Sequence, residues 1–458
     1  MNDAVARNKP AVFVLCRPYL VPDFRENVAS LADSFEFHFL TDGHSPGTAD
    51  TRARFYARLG SAPPVPGFAA EDEDDVVARC RTLRSLPRPQ ALAMARAMAS
   101  VIVEELERIR PVVVLSHMVD DYVTHLTAEL ARRHGLRFVG YAYSYFPGRI
   151  QATLYANGTP HRLREPADGE VAETLAEISQ RTFRQNYLQK DEYTRPRHFK
   201  AMLRYRAKQV VFALRAWREK DPLHLHYLCL PYVVERRHWR DFPSATDFHG
   251  DWRERLAGAR QDKPVVYMPL GYFPEATIDY WIEDRRILAY QDEVLRICRE
   301  LGREFRVVVK EHLHMLGGRS PDFYRALRDT PGVVSVPPLE FSNEVLAGAD
   351  LVLMGAGSVG VEAHIRGKPI ASFCARSYWF AASGATYLDL ARIDTWPGLI
   401  RACLAGHRPP DEAQRAEFVR ECLRSTMRTA RAGRVWPICH PDDLRLALTE
   451  AGQVPAKP

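Results

Sequence analysis

Two stretches in the second half of the chain bring together residue types suited to gripping a phosphate. An apolar run at 306–309 ends in Lys310-Glu311-His312. Lysine offers a point charge to phosphate oxygens, and an imidazole donates to them. About forty residues later a second apolar run, 351–354, breaks into Gly355-Ala356-Gly357-Ser358-Val359-Gly360. Glycines such as Gly355 and Gly357 let backbone approach a phosphate, and a helix amino terminus favours an anion. The Ser358 hydroxyl and the amides from Val359 onward suit that anion, while Glu362, one helical turn on, is placed to reach ribose hydroxyls. Plainer roles compete with these. Glu311 can simply pair Lys310 at a solvated strand end, and Glu362 can complement the helix dipole.

The spacing of Gly355, Gly357 and Gly360 is G-x-G-x-x-G, but its setting argues against a dinucleotide cofactor. That fingerprint belongs in a first β-α-β unit with an acid about twenty residues on. Here it lies deep in the second half, and the next apolar run closes on Phe373-Cys374-Ala375-Arg376 with no acid. His312 and His314 form an H-x-H pair, yet no second cluster at ligand spacing accompanies it, so no metal site is expected. The segment 268–276, Met-Pro-Leu-Gly-Tyr-Phe-Pro-Glu-Ala, is a shaped loop in which Glu275 either faces a ligand or caps the next helix.

In the first half, Ser116, His117, Asp120 and Asp121 follow another apolar run. A carboxylate or imidazole there suits a general base on an acceptor hydroxyl or a nucleophile at a sugar carbon. Adjacent acids also serve as a helix cap and first-turn pair. The run 141–148, Tyr-Ala-Tyr-Ser-Tyr-Phe-Pro-Gly, could stack a sugar or pack in a core.

The elements that must position these groups alternate. Buried-strand runs at 11–15, 36–40, 111–115 and 137–141 enclose helical patterns at 71–108 and 122–134. The alternation returns at 264–269, 306–309, 333–336, 351–354 and 369–373, with a helix at 293–301. β-α-β order implies parallel sheets, and ligands bind outside the carboxyl ends of such strands. A helical tract at 172–220 lies between the halves, and a helical stretch at 411–431 is expected to pack back on the first. With 458 residues the chain suits two domains: 1–250, carrying the tract as an insertion, and 251–458.

Bulk properties narrow the function. A net charge of +6 over 458 residues is too mild to argue for nucleic acid. Eight cysteines with no C-x-x-C pair fit reduced thiols in a cytoplasmic protein. The first twenty residues lack the long apolar core of a signal peptide. One local imbalance remains: between Asp191 and Lys220 nine Lys/Arg stand against three Asp/Glu. No nucleic-acid module accompanies it, and the 193–220 tract suits an amphipathic helix near anionic lipid at the inner face of a membrane, one near a polyanionic glycan, or a plain solvated face.

The second half resembles the capsule polysaccharide biosynthesis family, the Kps-type proteins of bacterial surface glycan assembly. The resemblance runs through the 268–276 loop with Tyr280-Trp281, Lys310-Glu311-His312, Ser342-Asn343-Glu344, the 355–363 loop and Gly367-Lys368-Pro369, about 110 residues in order. The family often has His-Pro where this chain has His312-Leu313, and a bulky aromatic where it has Val361. The resemblance implies a GT-B fold, two Rossmann-like domains facing an interdomain cleft, and glycosyl transfer without a bound metal or other cofactor. Some relatives use CMP-Kdo. It implies that Lys310, His312, Ser358 and Glu362 bind the donor, with Asn343 lining the same site; Glu311, Gly355, Gly357 and Val359, which belong to the same two segments, are expected in that donor site as well. Asp120, Asp121 or His117 then serves a glycan or lipid-linked acceptor. A nucleotide-sugar 2-epimerase and a non-catalytic capsule assembly or export partner are the alternatives on the same architecture.

Overall fold

The structure, a computed structural model, describes residues 9–155, 157–180, 183, 194–223 and 239–449. Residues in it group into two compact units. One draws on 1–165, 215–234 and 424–458, the other on 166–214 and 235–423.

The first unit is built from β1 (Ala11–Leu15), β2 (Glu36–Thr41), β3 (Ala49–Asp50), β4 (Val113–His117), β5 (Arg137–Tyr143) and β6 (Arg149–Leu154). β1 reads AVFVL with four of its residues buried, and all five residues of β4 are buried. The apolar run of β1, and that of β4 up to its polar end Ser116-His117, are what strands covered on both faces require. Helices Arg88–Ile109 and Tyr122–Arg133 lead into β4 and out of it. β1 to β5 are joined by parallel pairings, and β6 runs antiparallel to β5.

The second unit holds β7 (Val265–Pro269), β8 (Arg306–Lys310), β9 (Val333–Val336), β10 (Leu351–Met354), β11 (Ile370–Ser372) and β12 (Thr386–Tyr387), all parallel, in the order β12-β11-β10-β7-β8-β9. The α/β class with two Rossmann-like halves is therefore the one observed.

The first sheet is completed by β13 (Thr426–Arg431) and β14 (Ile438–Cys439), giving the order β14-β13-β6-β5-β4-β1-β2-β3. This corrects two expectations. The stretch 411–431 is a helix only over Glu412–Leu423; Thr426 and Met427 are buried in a strand that pairs Gln151 and Ile150. Residues 424–449 consequently group with the first unit rather than with the second, as a division at 250 would have it. Asp23 fastens them there, accepting the backbone N–H groups of Arg434, Val435 and Trp436 at 2.8 Å each. Of the 172–220 tract, helices Asp168–Ser179 and Arg195–Arg218 are seen; 181–182 and 184–193 lie outside the described residues, as do 1–8, 224–238 and 450–458. Among the described residues no helix is long and apolar enough to cross a membrane.

Strand order identifies where each unit should bind. From β1 the chain moves outward through β2 to β3, then restarts on the other side at β4. From β7 it moves out through β8 to β9, then restarts at β10. Each restart leaves adjacent strand ends with chains departing in opposite directions, and such switch points open crevices for ligands.

Candidate functional site

At the second unit's switch point, Lys310 ends β8 beside β7. The residue is 5% exposed, and its ammonium donates to the carbonyls of Pro338 (3.1 Å) and Glu311 (3.4 Å). Burial pulls its pKa down to about 8, against the opposing pull of Glu311, Glu340 and Glu362. Across β7, burial pushes Glu362 up to about 7, resisted by Arg366 and Lys310. Lys310 and Glu362 are thus within electrostatic reach of one another, and both change charge near neutrality. Tyr267, buried in β7, carries a hydroxyl raised above its usual range by burial, with Ser342 hydrogen-bonded to it and Glu362 in reach. Ser342 opens the helix Ser342–Gly348, which places Asn343 in its first turn. The end of β8, the start of the helix Ser342–Gly348 and the helix that carries Glu362 therefore meet around Tyr267 of β7.

Glu311 has another task. Buried, it accepts from Arg319 Nε at 2.6 Å, from the Tyr324 hydroxyl at 2.9 Å and from the His312 backbone N–H at 2.6 Å. Arg319 also donates to the Gly271 carbonyl and lies 4.8 Å over the Tyr290 ring, while Gly271 N–H donates to the Tyr290 hydroxyl. This buried pair clamps the loop after β7 to the loop after β8. It positions His312, whose ring sits 5.7 Å from that of Tyr272, and leaves Glu311 no open acceptor face for a ligand. The His314 side chain lies outside the described residues.

The glycines after β10 divide by role. A Cβ on Gly355 would meet Phe373 at 2.7 Å, and one on Gly360 would meet Trp379 at 2.4 Å, so both are small because aromatic rings press on them. Gly357 alone needs its conformation, φ +151°. The Trp379 indole N–H donates to the Gly357 carbonyl at 2.7 Å and pins the turn. Ser358 stands at the cap position of Val359–Ile365, yet its side chain makes no capping bond. With Val359 it stays half-buried at the rim.

The first unit's switch point carries a different set. Arg17, 2% exposed just past β1, pairs with Asp42 after β2 and with Asp120 and Asp121 after β4, the latter two at 2.7 Å. His117 Nε2 lies 3.2 Å from Asp120 Oδ1. Asp121 doubles as the cap of Tyr122–Arg133, taking the Thr124 N–H at 2.9 Å. Burial pushes Asp42 up to about 6, with Arg17 pulling it down and Asp121 adding to the rise. Burial works the same way on Asp120, but there Arg17 and His117 prevail and hold its carboxyl below the usual range. Asp120, 11% exposed, is the most open of the three carboxylates, the others being at 2%. So His117, Asp120 and Asp121 do come together, organised by two residues that sequence reasoning missed. Both were open to the rule that singled out Lys310: Arg17 follows AVFVLC and Asp42 follows EFHFLT, each at the carboxyl end of an apolar run. Among the described residues, no group of three or more His, Cys, Asp or Glu is arranged to hold a metal ion.

No family model and no curated protein matches this chain. Solved structures similar to it include two Thermosulfurimonas dismutans KpsC structures. The beta Kdo 2,7 transferase is 15% identical, covering 76% of this chain and 88% of that one, with a TM-score of 0.34. The beta Kdo 2,4 transferase is 10% identical, covering 96% and 98%, also with a TM-score of 0.34. UDP-GlcNAc 2-epimerase from Methanocaldococcus jannaschii is 11% identical, covering 89% and 97%, with a TM-score of 0.27. At such values the chemistry has to be read from the strand ends themselves.

Proposed function

We propose that the chain is a metal-independent GT-B glycosyltransferase. It would move a sugar from a nucleotide-sugar donor, CMP-Kdo or a UDP-sugar, to a capsule polysaccharide, another surface glycan or a lipid-linked acceptor. The observation that supports this best is the second unit's switch point, where Lys310 and Glu362 with shifted pKa values flank β7 and the half-buried Ser358 heads the helix that carries Glu362. Perturbed titratable groups at a strand-end crevice mark functional sites.

Breaking a sugar–nucleotide bond places negative charge on the departing phosphate, and fixed positive charge and donors aimed at it are the main catalytic lever. Lys310 supplies the charge from beneath; the Ser358 hydroxyl and Val359 amide donate from the rim; His312 donates from the opposite loop. Glu362 takes ribose hydroxyls, and Asn343 lines the same end of the sheet. In the first unit, Asp120, held ionised by Arg17, and His117 beside it act on the acceptor hydroxyl and take up its proton.

A thermal-shift series with CMP, CDP, UDP and GDP tests the donor site, since a ligand that binds only the folded chain must stabilise it. Stabilisation by CMP or UDP is the expected result; none by any nucleotide overturns the reading and leaves a non-catalytic partner. Product analysis then separates classes. Donor consumed only when an acceptor is present means transfer, and an epimerised sugar formed without acceptor means a 2-epimerase.

A further inference from the structure

The helix Arg195–Arg218 contributes to neither strand-end site. Its 24 residues include eight Arg/Lys and no Asp/Glu. One side is buried through Tyr205, Phe212 and Ala216. An ordinary surface helix has a single apolar stripe, the one facing the core. This helix has a second. Phe199, Leu203, Val210, Leu214 and Trp217 recur at helical spacing and fall within a sector of about 60° on the outward side. All five are more than half exposed, and Trp217 is 82% exposed.

The charges are arranged around that stripe. At about 100° per residue, Lys200, Arg204 and Arg218 line one flank and Arg206 the other. All four are exposed. A second copy of the chain is a poor occupant, because the same face would bring two sets of cations together without an acid between them. A surface that is apolar within and anionic at its rim is complementary. Long basic side chains can lay their stems along the apolar stripe while their heads reach phosphates, and an indole at the stripe's end suits the headgroup depth.

We propose that this face of Arg195–Arg218 seats the protein on an anionic lipid surface, with the five apolar side chains at the acyl boundary and the flanking cations among the headgroups. The inference stands apart from the donor assignment and needs no sugar transfer to be true.

Co-sedimentation of the full chain with vesicles tests it. Binding is expected to vesicles of about one-third phosphatidylglycerol in phosphatidylcholine, not to phosphatidylcholine alone, and to weaken as salt rises. Reversing Lys200→Glu, Arg204→Glu and Arg218→Glu together should lower partitioning by roughly a hundredfold or more, at about 1 kcal/mol for each cation removed. Leu214→Gln with Trp217→Ser should also release the protein. Melting temperature and far-ultraviolet circular dichroism of both variants are expected to match the parent, since every altered side chain is exposed. The proposal is overturned if the parent chain ignores anionic vesicles, or if both variants bind like the parent. It is equally overturned if, without lipid, light scattering shows a dimer that Leu214→Gln/Trp217→Ser dissolves.

Discussion

The two units place charged groups at equivalent points of similar sheets, with opposite electrostatic outcomes. In the first, one guanidinium faces three carboxylates, the hydrogen bonds are internal, and the cluster carries an excess of negative charge. In the second, burial shifts a lysine and a glutamate toward neutrality, and the helix that carries the glutamate begins at a half-buried serine whose side chain makes no capping bond. An anionic nucleotide would be repelled by the first arrangement and received by the second. The shared topology says where a ligand should go; the charge says which ligand. On this reading the donor belongs to β7, β8 and β10, and proton handling to β1, β2 and β4.

The largest expected effect tests the first arrangement. Arg17→Ala would leave three carboxylates in a buried site with no guanidinium. Removing one partner of a buried charge network costs about 3–5 kcal/mol, which denaturant unfolding measures directly. Arg17→Lys restores the charge without the planar fork that spans Asp42 and Asp120, so it should recover only part of the loss. A variant as stable as the parent would show that the cluster is not what fixes these strand ends.

Lys310→Ala addresses the second arrangement and should be smaller. A hydrogen bond to a charged group contributes about 1.5–3 kcal/mol, so nucleotide affinity measured by calorimetry should fall roughly ten- to a hundredfold. Some stability should be lost as well, because alanine leaves a buried gap and takes the donor from the carbonyls of Pro338 and Glu311, which denaturant unfolding reads separately from affinity. Unchanged affinity would remove the contrast between the units.

A pH series sharpens the same point without a mutation. Lys310 is charged below its pKa of about 8 and neutral above it. Glu362 is neutral below about 7 and charged above it. Raising the pH from 6 to 9 therefore adds a negative charge at one residue and then removes a positive charge at the other. Both changes oppose an anion, so nucleotide affinity should decline across this range, steepest between about 7 and 8. Affinity that rises or stays flat would mean the phosphate is held elsewhere.

How much of this the chain discloses by itself depends on distance along it. β1 and β10 stand where unbroken apolar runs place them, β9 where a valine run interrupted only by Ser335 does, and strand-helix alternation was enough to give two parallel-sheet halves. β13 was hidden because Thr426, Met427 and Thr429 follow a helix, and only pairing with β6 makes them a strand. Lys310 and Ser358 were legible as strand-end residues. The commitment of Glu311 was not, since Arg319 and Tyr324 reach it from a later turn and helix. Gly355 and Gly360 read like phosphate-loop glycines, yet their smallness serves Phe373 and Trp379, which lie well downstream. Arg17 and Asp42 were open to the same strand-end rule as Lys310; what the chain alone hid is their pairing with each other and with Asp120 and Asp121, which only the folded sheet brings about.

Ser358 offers the finest test, because two roles predict effects of similar size on different observables. A serine at a helix cap that bonds the first-turn amides contributes about 1 kcal/mol to stability, and alanine would remove it. Here the side chain makes no such bond, so the hydroxyl remains available to a ligand. Ser358→Ala should therefore leave the melting temperature within error while weakening nucleotide binding severalfold, the scale of one neutral hydrogen bond at about 0.5–1.5 kcal/mol. Loss of stability with unchanged binding would return Ser358 to the helix and leave the second unit's turn with backbone amides alone. The reverse outcome assigns the hydroxyl to the phosphate and sets the turn after β10 apart from the turn after β4, where Asp121 does cap its helix.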